Sequence, residues 1–328
     1  MTTKKRVLSG MRPTGPLHLG NYHGALANWV EMQDAYDCFF FIADWHALTS
    51  DYEDTGQISD YVKSMMIDWL SAGLTPDKCT MFVQSHIKEH AELFLILSMI
   101  TPVPWLERNP TYKDQIVQLE SKDLSTFGFL GYPVLQAADI IIYKADGVPV
   151  GVDQVPHVEI TREIARRFNH FYGDVFPEPD AILTQTPKLL GLDRRKMSKS
   201  YNNAIFLSDP PEEVAKKVSR MITDPNRARK SDPGDPDVCN VFSFHKMYSD
   251  PDLVQRIDTE CRSAEIGCVP CKKMMAESLI AAMAPMRERR LYYQDRPKEV
   301  ADLIVAGGEK ARQEARRTME EVRAAMKI

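Results

Sequence analysis

The chain has 328 residues, 44% of them hydrophobic and 27% charged, a balance that supports two packed cores and excludes disordered and fibrous classes. Forty-one basic against 46 acidic residues give a net charge of −5, so the chain is no polycation built to coat nucleic acid, and any RNA contact has to be a local patch. No apolar run approaches the roughly 20 residues that cross a bilayer, and Met1-Thr2-Thr3-Lys4-Lys5-Arg6 leads into too few apolar residues for a signal peptide. The expectation is a cytoplasmic protein with neither membrane nor DNA as a partner.

In chain order, Arg6–Ser9 reads as a short buried strand, followed by a Gly/Pro-punctuated loop and apolar residues at helical spacing from Tyr22 to Val30. Cys38–Ala43 is an apolar run of strand length. Ile58 to Leu70 has helical spacing, stopped by Gly73 and Pro76, and Thr80–Val83 repeats the strand signal before a helix over His90–Ile100. This β-α-β-α-β-α order predicts a parallel sheet covered on both faces, a class that binds ligands at strand carboxyl ends. Leu130–Tyr143 reads as a buried helix, Gly147–Val150 as a strand and His157–Phe168 as an amphipathic, Arg-rich helix. Beyond about Asn202 strand signals stop. Helical patterns at Glu212–Ile222, Leu253–Cys261, Cys271–Met283 and Glu309–Met326 predict an all-α portion, and Asp224–Asp237 an exposed loop. The reading is therefore an α/β chain with two domains, a Rossmann-type domain over 1–203 and a helical domain over 204–328.

Three features carry chemistry. The first βα loop, Pro13-Thr14-Gly15-Pro16-Leu17-His18-Leu19-Gly20-Asn21, offers backbone amides at a helix N-terminus, glycines that admit a ligand and a histidine that can donate to phosphate oxygens; taken alone, it is better read as a Gly-rich turn with a surface histidine, since such turns are common. In Lys196-Met197-Ser198-Lys199-Ser200, two lysines three apart can both reach one polyphosphate and offset charge on a leaving pyrophosphate, although most such sequences are solvated basic loops. Four of the six cysteines, Cys239, Cys261, Cys268 and Cys271, crowd into a C-x21-C-x6-C-x2-C spacing that suits either tetrahedral zinc or a [4Fe–4S] cluster, whereas Cys38 and Cys79 read as packing. Asp139, between Ala137-Ala138 and Ile140-Ile141-Ile142, is a carboxylate in apolar surroundings that needs a donor. His86, His90, His170 and His245 read as surface or packing residues, and the arginine runs as solvated faces.

The Lys196–Ser200 pentapeptide matches a motif of class I aminoacyl-tRNA synthetases, and His18-Leu19-Gly20-Asn21 at the first βα turn is its companion. Together with Ser9–Gly15, Asp44-Trp45-His46-Ala47-Leu48-Thr49, Tyr132–Asp139 and Gly151-Val152-Asp153-Gln154 followed by His157–Arg162, the chain resembles the bacterial tryptophanyl-tRNA synthetases along its whole length. The resemblance implies a homodimer that activates tryptophan with ATP and Mg²⁺ and passes it to tRNA(Trp), with anticodon recognition by the helical domain. It implies His18, Lys196 and Lys199 as catalytic. It also implies Arg12, Pro13, Thr14, Gly20, Asn21, Gly151, Val152, Asp153, Leu189 and Lys196 to Ser200 (with Met197 and Ser198) as ATP-binding, and Leu8, His46, Tyr132, Asp139 and Gln154 as tryptophan-binding. The chain departs from the pattern at Arg12, where many members carry Gln, and at Val152, where many carry Glu. A subset of the family carries a similar four-cysteine pattern that ligates a [4Fe–4S] cluster, and this sequence resembles that subset, with zinc as the second choice. The competing readings are a tyrosyl-tRNA synthetase, disfavoured by Asp44–Ala47 and Asp153-Gln154, and a catalytically silent RNA-binding or iron–sulfur relative, disfavoured by intact His18, Lys196 and Lys199.

Overall fold

The computed structural model describes residues 4–109, 124–184 and 189–328, the side chain of Asp153 excepted. The chain forms two compact units: residues 1–15, 25–186 and 295–328 in the first, 16–24 and 187–294 in the second.

The first unit is built on a five-stranded parallel sheet in the order β3-β2-β1-β4-β5, with β1 at Arg6–Met11, β2 at Asp37–Ile42, β3 at Cys79–Val83, β4 at Gly147–Val150 and β5 at Asp180–Leu183. Register sets Leu8 beside Phe39 and Phe39 beside Thr80. Residues 38–42 and 79–83 are wholly buried, as expected of central parallel strands covered on both faces. The strand β5 escapes the sequence reading because it is a short edge strand with no fully buried residue.

Helices α1 (Leu19–Asn21), α2 (Ala27–Met32), α3 (Asp44–Asp51), α4 (Ile58–Ala72), α5 (Glu89–Ile100), α6 (Val103–Glu107), α7 (Phe127–Ile141) and α8 (Val155–Tyr172) follow in order. Two of them have a clear local boundary signal. Gly73, at φ 116°, closes α4 in the left-handed conformation that glycine adopts freely; Thr126 caps α7 by accepting from the Phe129 amide at 3.2 Å. One core joins Leu8, Phe39 and Phe82 of the strands to Leu97 of α5, Ile141 of α7 and Ile164 of α8.

Besides α1, whose residues fall within 16–24, the second unit has the helices α9 (Pro211–Ser219), α10 (Asn240–Tyr248), α11 (Pro251–Arg262) and α12 (Cys268–Gln294). Pro211 and Pro251 occupy first helical positions, where a missing N–H costs nothing, and the Asp250 carboxylate accepts from the Asp252 amide at 2.9 Å. Val218, Phe244, Leu279 and Met283 supply the core. The helix α10 is missed by periodicity; Asp224–Asp237 is mostly exposed, as expected, and is ordered by the buried Asp224 carboxylate, which accepts from the amides of Asn226 (2.8 Å) and Asp235 (2.9 Å).

The last helix, α13 (Pro297–Met326), belongs to the first unit and packs on β3 and α5 through Ala311, Ala315, Met319 and Val322. A Cβ on Gly307 would stand 1.8 Å from the Met81 carbonyl oxygen, so only glycine permits that approach. Among the described residues no helix is long and apolar enough to cross a membrane.

Candidate active site

In the first unit the sequence-predicted residues gather where strands end. Arg12 follows β1, His46 stands in the helix after β2, and Gly151 follows β4. These are the carboxyl ends of parallel strands, where loops diverge and leave a crevice.

Asp139 on α7 is fully buried and is the acceptor for three side chains. His46 Nε2 lies 2.7 Å from Oδ2, His90 Nδ1 lies 2.5 Å from Oδ1, and the Gln84 amide nitrogen donates to both oxygens at 2.8 and 2.9 Å. Burial works to raise the carboxyl pKa, but the hydrogen bonds from His46 and His90 outweigh it and hold the group below the usual carboxylate range. His90 Nε2 in turn meets the Tyr143 hydroxyl at 2.7 Å. The sequence reading singled out neither Gln84 nor His90; it read His90 as a surface or packing residue, and the ring is fully buried with both nitrogens in polar contacts. Leu8 packs in the same core.

Tyr132 and Gln154 are joined through His157. The Gln154 Oε1 can only accept, so His157 donates to it from Nδ1 at 3.0 Å, leaving Nε2 to accept the Tyr132 hydroxyl at 2.8 Å. Arg12 donates to Ser50 Oγ and lies 3.4 Å from Asp51 Oδ2, beside a cleft of about 260 Å³ lined by Pro13, Thr14, Ser50, Asp51, Gln57 and Tyr61. Its Nε is buried without a hydrogen-bond partner among the described residues. Val152 is exposed.

The second unit carries the other half of the motif residues. His18 is the N-cap of α1: its Nδ1 accepts from the Asn21 amide at 3.2 Å while Asn21 Oδ1 accepts from the His18 amide at 3.1 Å, a reciprocal capping box. An accepting Nδ1 puts the proton of the neutral ring on Nε2, which makes that atom the donor. Burial, then the charges of Lys199 and Lys196, push the imidazole pKa down to about 4, so the ring is neutral at neutral pH. Gly20 must lack a side chain, because a Cβ there would stand 2.9 Å from His18 Nδ1.

The lysine loop is pinned by groups the sequence did not advertise. Asn203, almost wholly buried, accepts from the Ser198 amide at 2.8 Å and donates to Asp193 Oδ1 at 2.7 Å and to the Lys196 carbonyl at 3.1 Å. Met197 is buried while Lys196 is exposed, so the loop is anchored by its middle and presents its first lysine outward. Leu189 is buried at the start of this stretch.

Also in the second unit, the sulfurs of Cys239, Cys261, Cys268 and Cys271 lie within reach of one another's charge; burial and these neighbours push Cys271 up to about 12. All four are half-buried free thiols. Arg227 Nη1 lies 3.6 Å from Cys261 Sγ, its Nη2 donates to the carbonyls of Lys230 and Ile266 at 2.8 Å each, and its Nε is buried without a partner among the described residues. A Cβ on Gly234 would come within 2.6 Å of Cys261 Sγ. Among the described residues, no three His, Cys, Asp or Glu side chains are disposed to hold a metal ion.

Known proteins match this arrangement of residues. The family described as tRNA synthetases class I (W and Y) matches residues 1–284. The tryptophan–tRNA ligase of Thermotoga maritima is 52% identical over 98% of this chain and 99% of its own, and that of Aquifex aeolicus is 47% identical over 98% and 100%. The tryptophanyl-tRNA synthetase of Campylobacter jejuni, crystallised with ADP and tryptophan, superposes with a TM-score of 0.91 at 33% identity, covering 98% of this chain and all of that one. The chain therefore belongs to the class I tRNA synthetases of the tryptophan and tyrosine family, among the bacterial tryptophan–tRNA ligases.

Proposed function

We propose that the chain activates L-tryptophan with ATP and then esterifies it to the 3′ end of tRNA(Trp). A tryptophan carboxylate oxygen attacks the α-phosphorus of ATP, pyrophosphate leaves with Mg²⁺, and the tRNA terminal hydroxyl displaces AMP from the adenylate. Residues 1–203 carry ATP and tryptophan in this reading, and 204–328 the anticodon, with α13 of that segment serving the first unit structurally. The neutral His18 donates from Nε2 to a phosphate oxygen, and Lys196 and Lys199 offset the charge that builds on the leaving group. Arg12, Pro13, Thr14, Gly20, Asn21, Gly151 to Asp153 and Leu189 complete the nucleotide contacts.

Asp139, an acceptor-only group held ionised inside an apolar core, favours tryptophan over phenylalanine, while the Asp44–Ala47 and Asp153-Gln154 segments favour it over tyrosine. The indole N–H is a donor with no acceptor capacity and suits it; a side chain without a donor leaves the carboxylate short of a partner. His46, Tyr132, Gln154 and Leu8 line the rest of the pocket in this reading. Amino-acid-dependent exchange of pyrophosphate into ATP, run against all twenty amino acids, tests it: tryptophan should dominate, and equal exchange with tyrosine would defeat the assignment.

The four cysteines are proposed to hold a [4Fe–4S] cluster, as in the subset the chain resembles, with zinc second. Three features fit a thiolate cluster: a set of four sulfur donors, a guanidinium aimed at Cys261 with a buried nitrogen to spare, and the side-chain-free space that Gly234 leaves beside that sulfur. A bound cluster supplies covalent cross-links among three segments of the second unit. Anaerobic purification should give iron and sulfide near four per chain with visible absorption; stoichiometric zinc without sulfide overturns the cluster, and a metal-free protein with full tRNA charging overturns the site. Homodimer formation is proposed on the exposed apolar residues Leu95 and Met99, one turn apart on α5, with Val103 and Phe127. A cytoplasmic location fits six free thiols.

A further inference from the structure

The carboxylate of Asp139 is more fully engaged than an indole acceptor needs to be, and its donors differ in kind. On the Oδ1 side stand His90 and, behind it, Tyr143; Gln84 bridges both oxygens, and all three are completely buried. On the Oδ2 side stands His46, the one donor with any solvent exposure, its side chain at 11% against 0% for Asp139 and His90. Asp139 can only accept while ionised, so His90 donates from Nδ1, and a neutral His90 must then accept the Tyr143 hydroxyl at Nε2. Burial and the Asp139 charge push the Tyr143 pKa well up, which keeps that hydroxyl a proton donor. The ring of Tyr143 stacks on Phe39 at 5.1 Å and packs against Phe82 at 5.3 Å, so the hydroxyl is held by the strands β2 and β3. The chain from Tyr143 through His90 to Oδ1 is thus rigid and one-directional, while the His46 side alone opens outward.

We propose that His90, fixed by Tyr143, is a positioning residue for amino-acid selection: it holds Oδ1 of Asp139 so that Oδ2 faces the His46 side, where an indole N–H takes the place of the His46 donor. The proposal rests on the reading of Asp139 as the indole acceptor. It assigns His90 no contact with substrate. Its effect should therefore appear in recognition of the indole N–H and leave nucleotide handling alone.

The test compares pyrophosphate exchange with tryptophan and with its benzothienyl analogue, in which sulfur replaces the indole N–H, in wild type, His90→Leu, His90→Asn and Tyr143→Phe. Wild type should prefer tryptophan strongly. His90→Leu should reduce that preference about tenfold with the KM for ATP unchanged, and Tyr143→Phe should do so more weakly. His90→Asn, whose side-chain amide stands near the place of Nδ1, should recover most of the loss. A preference retained in His90→Leu, or lost equally in His90→Asn while thermal stability falls, reduces His90 to a packing residue and overturns the proposal alone. If His90→Leu does not fold, Tyr143→Phe decides the matter: an unchanged preference overturns the proposal. A wild-type enzyme that takes the sulfur analogue as readily as tryptophan overturns the Asp139 reading and the proposal together.

Discussion

Lys199→Ala, and separately Lys196→Ala, should slow tryptophanyl adenylate formation by about 10²–10³, the usual effect of removing one donor that stabilises developing charge, with ATP affinity changed far less. The reason lies in the loop's construction. The buried Met197 and the Asn203 hydrogen bonds fix the backbone, so truncating either lysine removes charge without releasing the loop. Both lysines already act on His18, where their charges add to burial in depressing its pKa. Each alanine variant should accordingly raise the His18 pKa from about 4, and burial, the larger cause, should still keep it below the ordinary 6.5. Rapid-quench measurement of single-turnover adenylation, paired with NMR titration of the His18 ring, checks both effects. If the whole loss is found in ATP binding, the lysines are ground-state clamps and the assigned role fails.

Asp139→Asn should lower kcat/KM for tryptophan by about 10–100-fold, because three donors converge on two oxygens and a carboxamide keeps only one. Its NH₂ group faces a former donor, and either His46 or His90 loses its acceptor inside the core, while Gln84, bonded to both oxygens, keeps one. His46 is the partner with room to turn, so the fold should survive at reduced melting temperature, which separates loss of recognition from loss of structure. Exchange rates for tryptophan and phenylalanine measured side by side give the readout. An unaltered ratio between them would return Asp139 to a purely structural part.

Sequence exposed the two ends of this chemistry better than its middle. Asp139 stands out because its immediate neighbours are apolar, and Lys196–Ser200 because its pattern is compact; both signals are local. Gln84 and His90 meet Asp139 across 55 and 49 residues, and no spacing rule reports a contact of that range. His18 and Asn21 escaped notice as a capping box because the usual signature pairs Ser or Thr with Glu or Gln, although the three-residue offset was there to be read. The central strands were evident from buried runs such as Cys38–Ile42, whereas the edge strand β5 and the short α10 offered too few periodic residues to register. Arg162 and Arg166, read as solvated faces, are paired with Glu178 across the intervening turn, a contact that helical spacing does not report.

The last helix has a consequence for biosynthesis. The strand β3 is made early, yet its cover, Ala311, Ala315 and Met319 with Gly307 seated on the Met81 carbonyl, is made after every residue of the second unit. During synthesis the apolar surface around Phe82 and Leu97 therefore lacks this cover until the intervening helices have been made. Arg6 adds a polar tie to the same late cover: its guanidinium binds Asp37 at 2.8 Å and Glu314 of the helix at 3.0 Å, stitching β1 to α13. Burial of that apolar surface is in this sense timed by the arrival of α13 rather than by the order of the strands.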